Sequence, residues 1–352
     1  MSSFRKALKP LPKFEIGEDY EILHAIGEGA YGTVAAALHK PSGRQVAIKK
    51  ILPFDHTLFA LRTLRELKLL KFFTETYLNE NIISILDIIK PPTLESFTEI
   101  YFIQELMQTD LHRVIRTQHL TDDHCQRELT CSQYFVYQTL RALNSIRSAD
   151  IVHRDLKPAN LLLNANCDLK VCDFGLARSV KTSATGGKEA GLMTEYVATR
   201  WYRAPEIMLS FKMYTKAIDI WAVGCVLAEL LSGRPLFPGR DYSHLLDLIL
   251  DVIGTPSLDE FYAITSRRSR YYIRALPIRK RRAFPTHHDP EDEPTFVPLS
   301  PSYFQFDSAR FIPLLRALRL THFVFAVEKE NLSKAQLKEL LYEEVLSFVP
   351  SF

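Results

Sequence analysis

The sequence predicts an α+β fold in which a small, β-rich lobe is followed by a larger, mainly helical lobe. Residues 20–103 show short alternating strand patterns interrupted by one helical stretch, whereas residues from 108 to about 260 carry longer helical patterns. The chain has 352 residues, of which 47% are hydrophobic and 24% are charged, so its composition is that of a globular protein able to bury a core.

The first lobe is predicted to contain one amphipathic helix among its strands. Leucines at 61, 64, 67 and 70 recur at helical spacing, which places them on one face of a helix. In the second lobe, residues 132–146 and 218–231 have helical patterns, and the short runs Leu161–Leu163 and Leu169–Cys172 are typical of strands. Residues 181–191 are rich in Gly, Ser and Thr, which indicates a loop.

Composition excludes several classes of protein. A net charge of +3 is too close to neutral to predict nucleic-acid binding, and we expect a surface of mixed charge. The five cysteines are odd in number and lack CxxC spacing, which disfavours a disulfide framework or a zinc site and favours a reducing compartment. No apolar run approaches the roughly 18 residues that span a bilayer, and the first residues lack the apolar core of a signal peptide. We therefore expect a soluble intracellular protein.

The first chemical motif is the glycine-rich run from Gly27 to Val34. Glycines allow a tight strand-turn-strand to lie close over phosphates, although the same pattern also occurs in ordinary hairpins. A dinucleotide-binding loop would lead into a helix, but here another strand, Gln45 to Lys49, follows. The motif therefore predicts a nucleotide-phosphate loop outside the dinucleotide-binding class.

A lysine and a glutamate are predicted to act together beside this loop. Strand alternation places Ala47 and Lys49 on one face and Lys50 on the other, so Lys49 is expected to face the nucleotide and Lys50 to be solvated. Glu66 lies on the predicted helix and would hold the Lys49 ammonium. A single Glu on a helix usually lies on a solvated face, and only the neighbouring motifs favour the functional role.

The strongest motif series is His153-Arg154-Asp155 with Lys157 and Asn160, followed by Asp173-Phe174-Gly175. In phosphoryl transfer a protein chiefly positions groups and neutralises charge. Asp155 would accept or orient a hydroxyl proton, and Lys157 would steady the transferring phosphoryl group. Asn160 and Asp173 would hold Mg²⁺, which prefers hard oxygen ligands. Each residue alone is common in surface turns, but the ordered series is strong evidence.

Two phosphorylatable hydroxyls lie between the motif at 173–175 and an Ala-Pro-Glu that ends at Glu206. Thr194 and Tyr196 flank one acidic residue. Thr194 lies 21 residues after Asp173, and Tyr196 lies 10 residues before Glu206. This placement predicts a switch operated by dual phosphorylation. The alternative is that both are unmodified surface hydroxyls.

These motifs resemble those of the eukaryotic protein kinases, and specifically the mitogen-activated protein kinases of the extracellular-signal-regulated type. The resemblance rests on Thr63–Glu66, Gln104–Leu111, Val171–Arg178 and Thr194–Glu206, and Phe14–Tyr20 is most similar to the fungal branch that serves mating, filamentation and virulence. It implies a bilobal kinase fold that phosphorylates Ser or Thr before Pro with Mg-ATP, after activation by an upstream dual-specificity kinase.

The resemblance also implies site roles, carried over by position. The ATP-contacting set extends the glycine motif along the strands and the connection between lobes: Ile26, Gly27, Glu28, Gly29, Ala30, Tyr31, Gly32, Thr33, Val34, Ala47, Lys49, Gln104, Glu105, Met107 and Asp110. Phosphate on Thr194 would be received by Arg65, Arg154 and Arg178, and phosphate on Tyr196 by Arg200 and Arg203. Asp219 would support the backbone of the catalytic loop. Asp289 and Asp292 would form an acidic docking site for basic segments of activators, substrates and phosphatases.

The same resemblance sets the expected domain boundaries. An N-terminal extension covers 1–19, the N-lobe with the hinge covers 20–107, and the C-lobe covers 108–307, followed after the insert by a tail at 328–352 that returns to the N-lobe. Within the C-lobe, the activation loop is expected at 173–206 and the acidic docking site at 287–294. We expect Arg279–Arg282 to pack on the large lobe, the alternative being a nuclear import signal. Neither nucleic acid nor a membrane is an expected partner. The expected location is the cytosol, with nuclear entry on activation.

Three departures separate this chain from the family pattern. Residues 127–132 are inserted at the start of a long helix, where we expect a longer loop, and residues 308–327 interrupt the tail. After Phe284, a few dozen residues forming two C-lobe helices are absent, including the arginine that pairs with Glu206 in the family. Stranding a buried carboxylate costs about 3–5 kcal/mol, against a total stability of about 5–15 kcal/mol. We hypothesise misplaced exon boundaries, the alternative being a non-catalytic docking or scaffold variant.

Overall fold

The computed structural model describes residues 13–29, 32–76, 80–117, 125–179, 200–209, 215–282 and 332–352, without the side chains of 29 and 125–131. The chain divides into two compact units. The first consists of Met1–Tyr77, Ile83–Met107 and Leu332–Phe352, and the second of Leu78–Ile82 and Gln108–Asn331. The first unit is rich in strands and the second in helices, which confirms the predicted α+β fold class.

The first unit is built on a five-stranded antiparallel sheet with the strand order β1-β2-β3-β5-β4. Its strands are β1 (Tyr20–Gly29), β2 (Gly32–His39), β3 (Arg44–Ile51), β4 (Ile85–Ile88) and β5 (Ile100–Glu105). The central register pairs Val34 of β2 with Lys49 of β3 and Ala47 of β3 with Gln104 of β5. Alternation along β3 buries Val46 and Ile48 in a core with Ala37 and Ile103.

Two helices pack together in the first unit, namely α1 (Thr57–Glu75) and α9 (Lys334–Leu346). The predicted leucine stripe of α1 is confirmed, because Leu64, Leu67 and Leu70 are fully buried. Helix α9 begins at Ser333, whose hydroxyl accepts from the Gln336 N–H in a reciprocal capping box.

The second unit is mainly helical. Its helices are α2 (Leu111–Thr117), α3 (Cys125–Ser148), α4 (Pro205–Leu209), α5 (Ala217–Ser232), α6 (Tyr242–Ile253), α7 (Leu258–Ala263) and α8 (Arg267–Ala275). Short strands form two small sheets: β6 (Thr109–Asp110), β8 (Leu161–Leu163) and β9 (Leu169–Val171) in one, and β7 (Ile151–Val152) with β10 (Arg178–Ser179) in the other. The predicted strands at 161–163 and 169–171 are therefore confirmed.

The inserted segment 127–132 lies inside α3, which is continuous from Cys125 to Ser148. The expected longer loop is wrong. Six residues add about 9 Å to a helix at 1.5 Å per residue, and Glu128, Leu129 and Gln126 are good helix formers. An insertion at the start of a helix can therefore be absorbed as extra turns.

Side-chain caps and a glycine define the ends of several helices in the second unit. Asp241 accepts from the His244 N–H at the start of α6, and Ser257 forms a capping box with Glu260 at the start of α7. Helix α5 ends at Gly233, which has φ of 68°, a left-handed conformation that glycine adopts without steric cost. In the part of the chain that the structure describes, no helix is long and apolar enough to cross a membrane.

Candidate active site

The glycine-rich motif forms the hairpin between β1 and β2. Gly27 pairs with Val34 and Gly29 with Gly32, while Ala30 and Tyr31 lie outside the described residues. A Cβ on Gly27 would meet no atom within 4 Å, which leaves open space beside that backbone. At Gly32, however, a Cβ would lie 1.9 Å from the Lys50 carbonyl oxygen, so close packing against β3 requires glycine there.

Lys49 and Glu66 are in contact, as their predicted partnership requires. The Lys49 ammonium Nζ lies 2.5 Å from Glu66 Oε1, and both side chains are largely shielded from solvent. Lys49 comes from β3 and Glu66 from the interior of α1, so the pair links the sheet to the helix. Because Val34 lies opposite Lys49 in the sheet, the ammonium is held beside the strand that leaves the glycine loop.

Lys50 is not solvated, which corrects the expectation from strand alternation. Its ammonium lies 2.6 Å from Glu99 Oε2 and 5.5 Å from the centroid of the Tyr101 ring. Only 14% of its side chain is exposed. The alternation did place it on the face opposite Lys49, but that face is covered by β5 residues and by Phe14, which sequence periodicity could not reveal.

The predicted hinge residues follow the end of β5. Gln104 pairs with Ala47 of β3 and Glu105 with Val46, and Met107 comes two residues later, partly buried. The side chain of Glu105 accepts weakly from the Ser84 N–H at 3.4 Å. These positions leave the adenine-binding role of Gln104, Glu105 and Met107 as a prediction.

In the second unit, Asp110 has a structural function that the sequence analysis missed. Its Oδ1 accepts from the Arg113 N–H at 2.9 Å, and its Oδ2 lies 3.1 Å from Arg113 Nε. Asp110 therefore caps the first turn of α2, as Asp commonly does at a helix start. The sequence signal for this cap is an Asp immediately before the helix, because the first N–H groups of a helix have no acceptor within the helix.

The catalytic-loop motif lies between β7 and β8 and brings its charged groups together. Lys157 Nζ lies 2.7 Å from Asp155 Oδ2, and Asn160 Nδ2 donates to the Asp155 carbonyl at 2.8 Å and to Oδ2 at 3.2 Å. Among the described residues, Asp155 Oδ1 has no partner and is the oxygen that could receive a hydroxyl proton. Burial disfavours the charge on Lys157, but attraction to and a hydrogen bond with Asp155, together with attraction to Asp173, outweigh burial and raise the pKa of the ammonium.

A buried aspartate fixes the backbone of this loop. Asp219 of α5 accepts from the His153 N–H at 2.8 Å and from the Arg154 N–H at 2.9 Å. Arg154 has φ of 71°, a conformation that is unfavourable for a residue with a side chain, so these two bonds hold a strained backbone. Burial raises the pKa of Asp219, while its two backbone N–H donors oppose that shift.

Asn160 and Asp173, the predicted metal ligands, lie on neighbouring loops. The Cys172 N–H donates to the Asn160 carbonyl at 3.0 Å, which fixes the two loops to each other. Because the amide nitrogen of Asn160 is used by Asp155, its amide oxygen is the atom that could bind a cation. Asp173 adopts a left-handed backbone with φ of 65°. An amide oxygen and a carboxylate fit Mg²⁺, which takes few protein ligands and completes its shell with phosphates and water.

Arg200 and Arg203, the predicted receivers of phospho-Tyr196, are gathered by a residue that the sequence analysis missed. Both guanidinium groups lie over the Tyr242 ring, at 5.5 Å and 5.6 Å, and Arg203 also donates to the Tyr242 hydroxyl. Arg178 donates to the Ala177 carbonyl at 2.9 Å.

The structure describes the two remaining predicted phosphate receivers but not the predicted phosphorylation and docking sites. Arg65 is buried in α1 of the first unit, and Arg154 belongs to the catalytic loop of the second. Thr194, Tyr196, Asp289 and Asp292 lie outside the described residues, as do the insert at 308–327 and the junction after Phe284. Their roles remain predictions.

The pattern that defines the protein kinase domain matches residues 20–272, most of the chain. The chain belongs to the protein kinase family. Mitogen-activated protein kinase 2 of Pneumocystis carinii is 55% identical, with 95% of this chain and 97% of that protein aligned. Mitogen-activated protein kinase PMK1 of Pyricularia oryzae is 54% identical over 95% of each chain.

A third relative, extracellular signal-regulated kinase 1 of Candida albicans strain WO-1, is 52% identical over 95% of this chain and 85% of that protein. The kinase is therefore a serine/threonine protein kinase of the mitogen-activated group, on its fungal branch, as the motifs predicted. Membership of this family implies the use of ATP and a divalent metal. It also implies upstream kinases, protein substrates and phosphatases as partners in general.

The alignments also show that the kinase lacks residues that its relatives possess. The alignment with the Pneumocystis protein spans 373 positions, more than the 352 residues of this chain. Since 95% of 352 is about 334, about 39 alignment positions are gaps in this kinase. The absence of a few dozen residues after Phe284 stays a prediction.

Glu206 lies in the first turn of α4 and is partly buried. Among the described residues, no Lys or Arg lies within ion-pair distance of its carboxylate. Burial raises its pKa, opposed only by a hydrogen bond from its own backbone. The buried indole N–H of Trp221, which packs on the same cluster as Ile207 of α4, also has no acceptor in the described part of the chain.

Proposed function

We propose that this kinase transfers the γ-phosphoryl group of Mg-ATP to Ser or Thr residues that precede Pro, after dual phosphorylation of Thr194 and Tyr196 in a mitogen-activated protein kinase cascade. The observation that carries the proposal is the intact geometry of two charged sets. Lys49 contacts Glu66 in the first unit, and Asp155 is contacted by Lys157 and Asn160 in the second.

Each residue has a defined task in this chemistry. Asp155 would accept the proton of the substrate hydroxyl as its oxygen bonds to phosphorus and the bond from phosphorus to ADP breaks. Lys157 would neutralise negative charge on the transferring group, and Lys49, held by Glu66, would position the phosphates. Asn160 and Asp173 would hold Mg²⁺, which neutralises the charge on the phosphate oxygens.

Activation and partner choice would depend on residues that the sequence places outside these sets. Each phosphate on the activation loop adds about −1.5 to −2 charges and requires cations. Arg200 and Arg203, already gathered on Tyr242, supply two such cations for phospho-Tyr196. We propose that Asp289 and Asp292 capture basic segments of an upstream dual-specificity kinase, of substrates and of phosphatases, and that the kinase acts in the cytosol and enters the nucleus when activated.

A second candidate function is a docking or scaffold protein without kinase activity. The partly buried Glu206 carboxylate, which has no cationic partner among the described residues, favours it, because ionised Glu206 would reduce the stability of the second unit. A loss of C-lobe helices after Phe284, which the resemblance implies, would act in the same direction. The intact charged sets favour the enzyme, since a protein that only docks has no need of Lys49, Asp155 and Asp173 together.

The test is phosphorylation of a protein rich in Ser-Pro and Thr-Pro by the dually phosphorylated chain. We expect incorporation that falls by at least about 100-fold in Asp173→Ala, whereas Asp259→Ala, which removes an exposed carboxylate from α7, leaves the rate unchanged. Activity that survives Asp173→Ala contradicts the metal assignment. A folded, dually phosphorylated chain without activity supports the scaffold.

A further inference from the structure

The outward face of α8 carries one exposed tyrosine surrounded by arginines. Tyr271 is 79% exposed at the centre of this face. Arg267, Arg268 and Arg274, at positions i−4, i−3 and i+3 from Tyr271, are exposed on the same side of the helix. Ser269 and Ile273 of the opposite side are buried. The face is therefore both cationic and aromatic.

The positive charge of the whole chain is concentrated in this region. Residues 267–282 contain eight of the 44 Lys and Arg residues and none of the 41 Asp and Glu residues. Without this segment the chain would have a net charge of 36 minus 41, or −5, compared with +3 for the whole. This run is a local exception on a surface that is expected to be of mixed charge.

The arrangement is unfavourable for the helix itself. Helix α8 has no acidic residue in its first turn, where Arg267 and Arg268 oppose the positive end of the helix dipole. Arg270 lies one turn from both Arg267 and Arg274, and like charges at these spacings destabilise a helix. Within the described chain, none of these four arginines forms an ion pair with a carboxylate. Arginines that destabilise their own helix and have no compensating ion pair indicate a role other than folding, such as binding.

The arginines that follow α8 differ from those on its face. Arg279 lies 3.2 Å from carboxylate oxygens of both Asp247 and Asp251, and Arg282 donates to the Asp251 carbonyl at 3.0 Å. These three contacts support the predicted packing of Arg279–Arg282 on the large lobe. They also show that this unit can neutralise a guanidinium where folding requires it.

Exposed apolar side chains accompany the cationic face. Leu258 is 74% and Ile278 89% exposed, and Tyr262 is also exposed. A hydrogen bond connects the two segments, because the Arg279 N–H donates to Thr255 Oγ1 at 2.8 Å. Arg279 directly follows Ile278, and Thr255 lies three residues before Leu258. The Arg274 guanidinium lies 5.6 Å from the ring of Phe261, the neighbour of Tyr262. We call residues 258–278 the α7–α8 corner.

Against the sequence-based expectation that a membrane is not a partner, we propose that the α7–α8 corner binds the surface of a bilayer that contains anionic phospholipids. Arginine matches phosphate groups in charge and geometry, and tyrosine is favoured at the level of lipid headgroups. The aliphatic side chains of Leu258 and Ile278 gain from contact with acyl chains but gain little from nucleic-acid phosphates or acidic peptides. Lipid is therefore favoured over those polyanions, and the binding is peripheral.

The experiment is sedimentation of the full chain with vesicles of phosphatidylcholine, with or without phosphatidylserine or a phosphoinositide. We expect binding only to the anionic vesicles, weakened by added salt. Each basic residue near such a surface contributes about fivefold in affinity, so Arg267→Gln, Arg268→Gln and Arg274→Gln together should reduce it about 100-fold. Because these substitutions remove repulsion between the arginines of α8, the melting temperature should stay unchanged or rise. A loss of vesicle binding therefore cannot be ascribed to unfolding.

A matched control removes three exposed arginines elsewhere in the same unit, namely Arg116, Arg147 and Arg234, each changed to Gln. We expect this variant to bind anionic vesicles like the parent chain. Equal losses in both triple variants would overturn the proposal, as would binding to neutral vesicles of the same strength. Tighter binding of a single-stranded oligonucleotide than of anionic vesicles at the same salt would assign the corner to nucleic acid and also overturn it. Kinase activity is expected to be the same in all variants.

Discussion

Glu206 illustrates at the residue scale how burial changes the chemistry of a carboxyl group that has no cationic partner among the described residues. Burial raises its pKa in the folded kinase, so the folded state holds this proton more tightly than the unfolded state. The favourable contribution to stability is thus complete below the ordinary pKa of Glu and is lost as pH rises from that value through the raised folded value. Above both values, ionised Glu206 is a constant cost to the fold.

We therefore predict that Glu206→Gln raises the free energy of unfolding at pH 7.5 by about 1 kcal/mol, which is less than the cost of a fully buried, uncompensated charge because the side chain is partly exposed. The advantage should vanish at pH 4. Denaturant unfolding at both pH values measures it, with Glu21→Gln, an exposed site in the first unit, as the control. A Gln variant that is less stable at pH 7.5 would show that another group does neutralise Glu206.

How far single residues could be predicted depends on where their partners lie. The contact of Lys49 with Glu66 was predicted because the motifs fix both members of the pair. Asp155, Lys157 and Asn160 were predicted as site residues, but their contacts with one another were not. The capping by Asp110, the Lys50 ion pair with Glu99 and the need for glycine at 32 were missed. Apart from the cap, these depend on strands that meet only in the fold.

At the scale of elements, α9 holds α1 by a bidentate ion pair. Lys68 Nζ lies 2.8 Å from Glu344 Oε2, and Lys71 Nζ lies 3.0 Å from Glu344 Oε1 and 3.0 Å from Ser347 Oγ. Partial burial opposes ionisation of Glu344, but the two lysines outweigh it and lower the pKa. Because α1 also carries Glu66, this contact orients the helix that holds Lys49.

We predict that Glu344→Gln lowers the free energy of unfolding at pH 7 by about 1 kcal/mol and raises the KM for ATP several-fold more than it lowers kcat. A depressed folded pKa contributes stability above the ordinary pKa of Glu, and this is lost as pH falls through the lowered value. The difference from the parent should therefore vanish in acid. Urea unfolding and initial-rate kinetics provide the measurements.

Glu343→Gln is the matched control, because Glu343 is exposed and adjacent in the same helix. It should change neither quantity. If both variants behave alike, the ion pair does not position α1, and packing of Leu341 and Val345 alone would hold the two helices together.

The elements themselves were predictable where periodicity was strong. The leucine stripe predicted α1, and the short apolar runs predicted β8 and β9. The helical course of the insert at 127–132 was not predicted, because comparison with a family pattern marks an insertion without showing its conformation. Periodicity in that stretch begins only at Ser132, whereas α3 begins at Cys125.

On the scale of the whole molecule, the hypothesis of misplaced exon boundaries makes a prediction about the native protein. We predict that the native protein contains residues between Phe284 and Pro285 and lacks both inserts. Tryptic peptide mass spectrometry should then fail to find Ala283–Arg310 and Glu128–Arg141 as they stand in this sequence. Detection of either peptide in the native protein would contradict the corresponding misplaced boundary.

The central claim is that Lys49, Asn160 and Asp173 hold Mg-ATP in a phosphotransferase. The most direct test is the melting temperature of the dually phosphorylated chain with and without Mg²⁺ and ATP. At a nucleotide concentration 100 times the Kd, binding adds about 2.7 kcal/mol, which should raise the melting temperature by several degrees. The shift should be absent with EDTA and strongly reduced in Asp173→Ala. A folded, doubly phosphorylated chain whose melting temperature does not respond to Mg-ATP would contradict the claim.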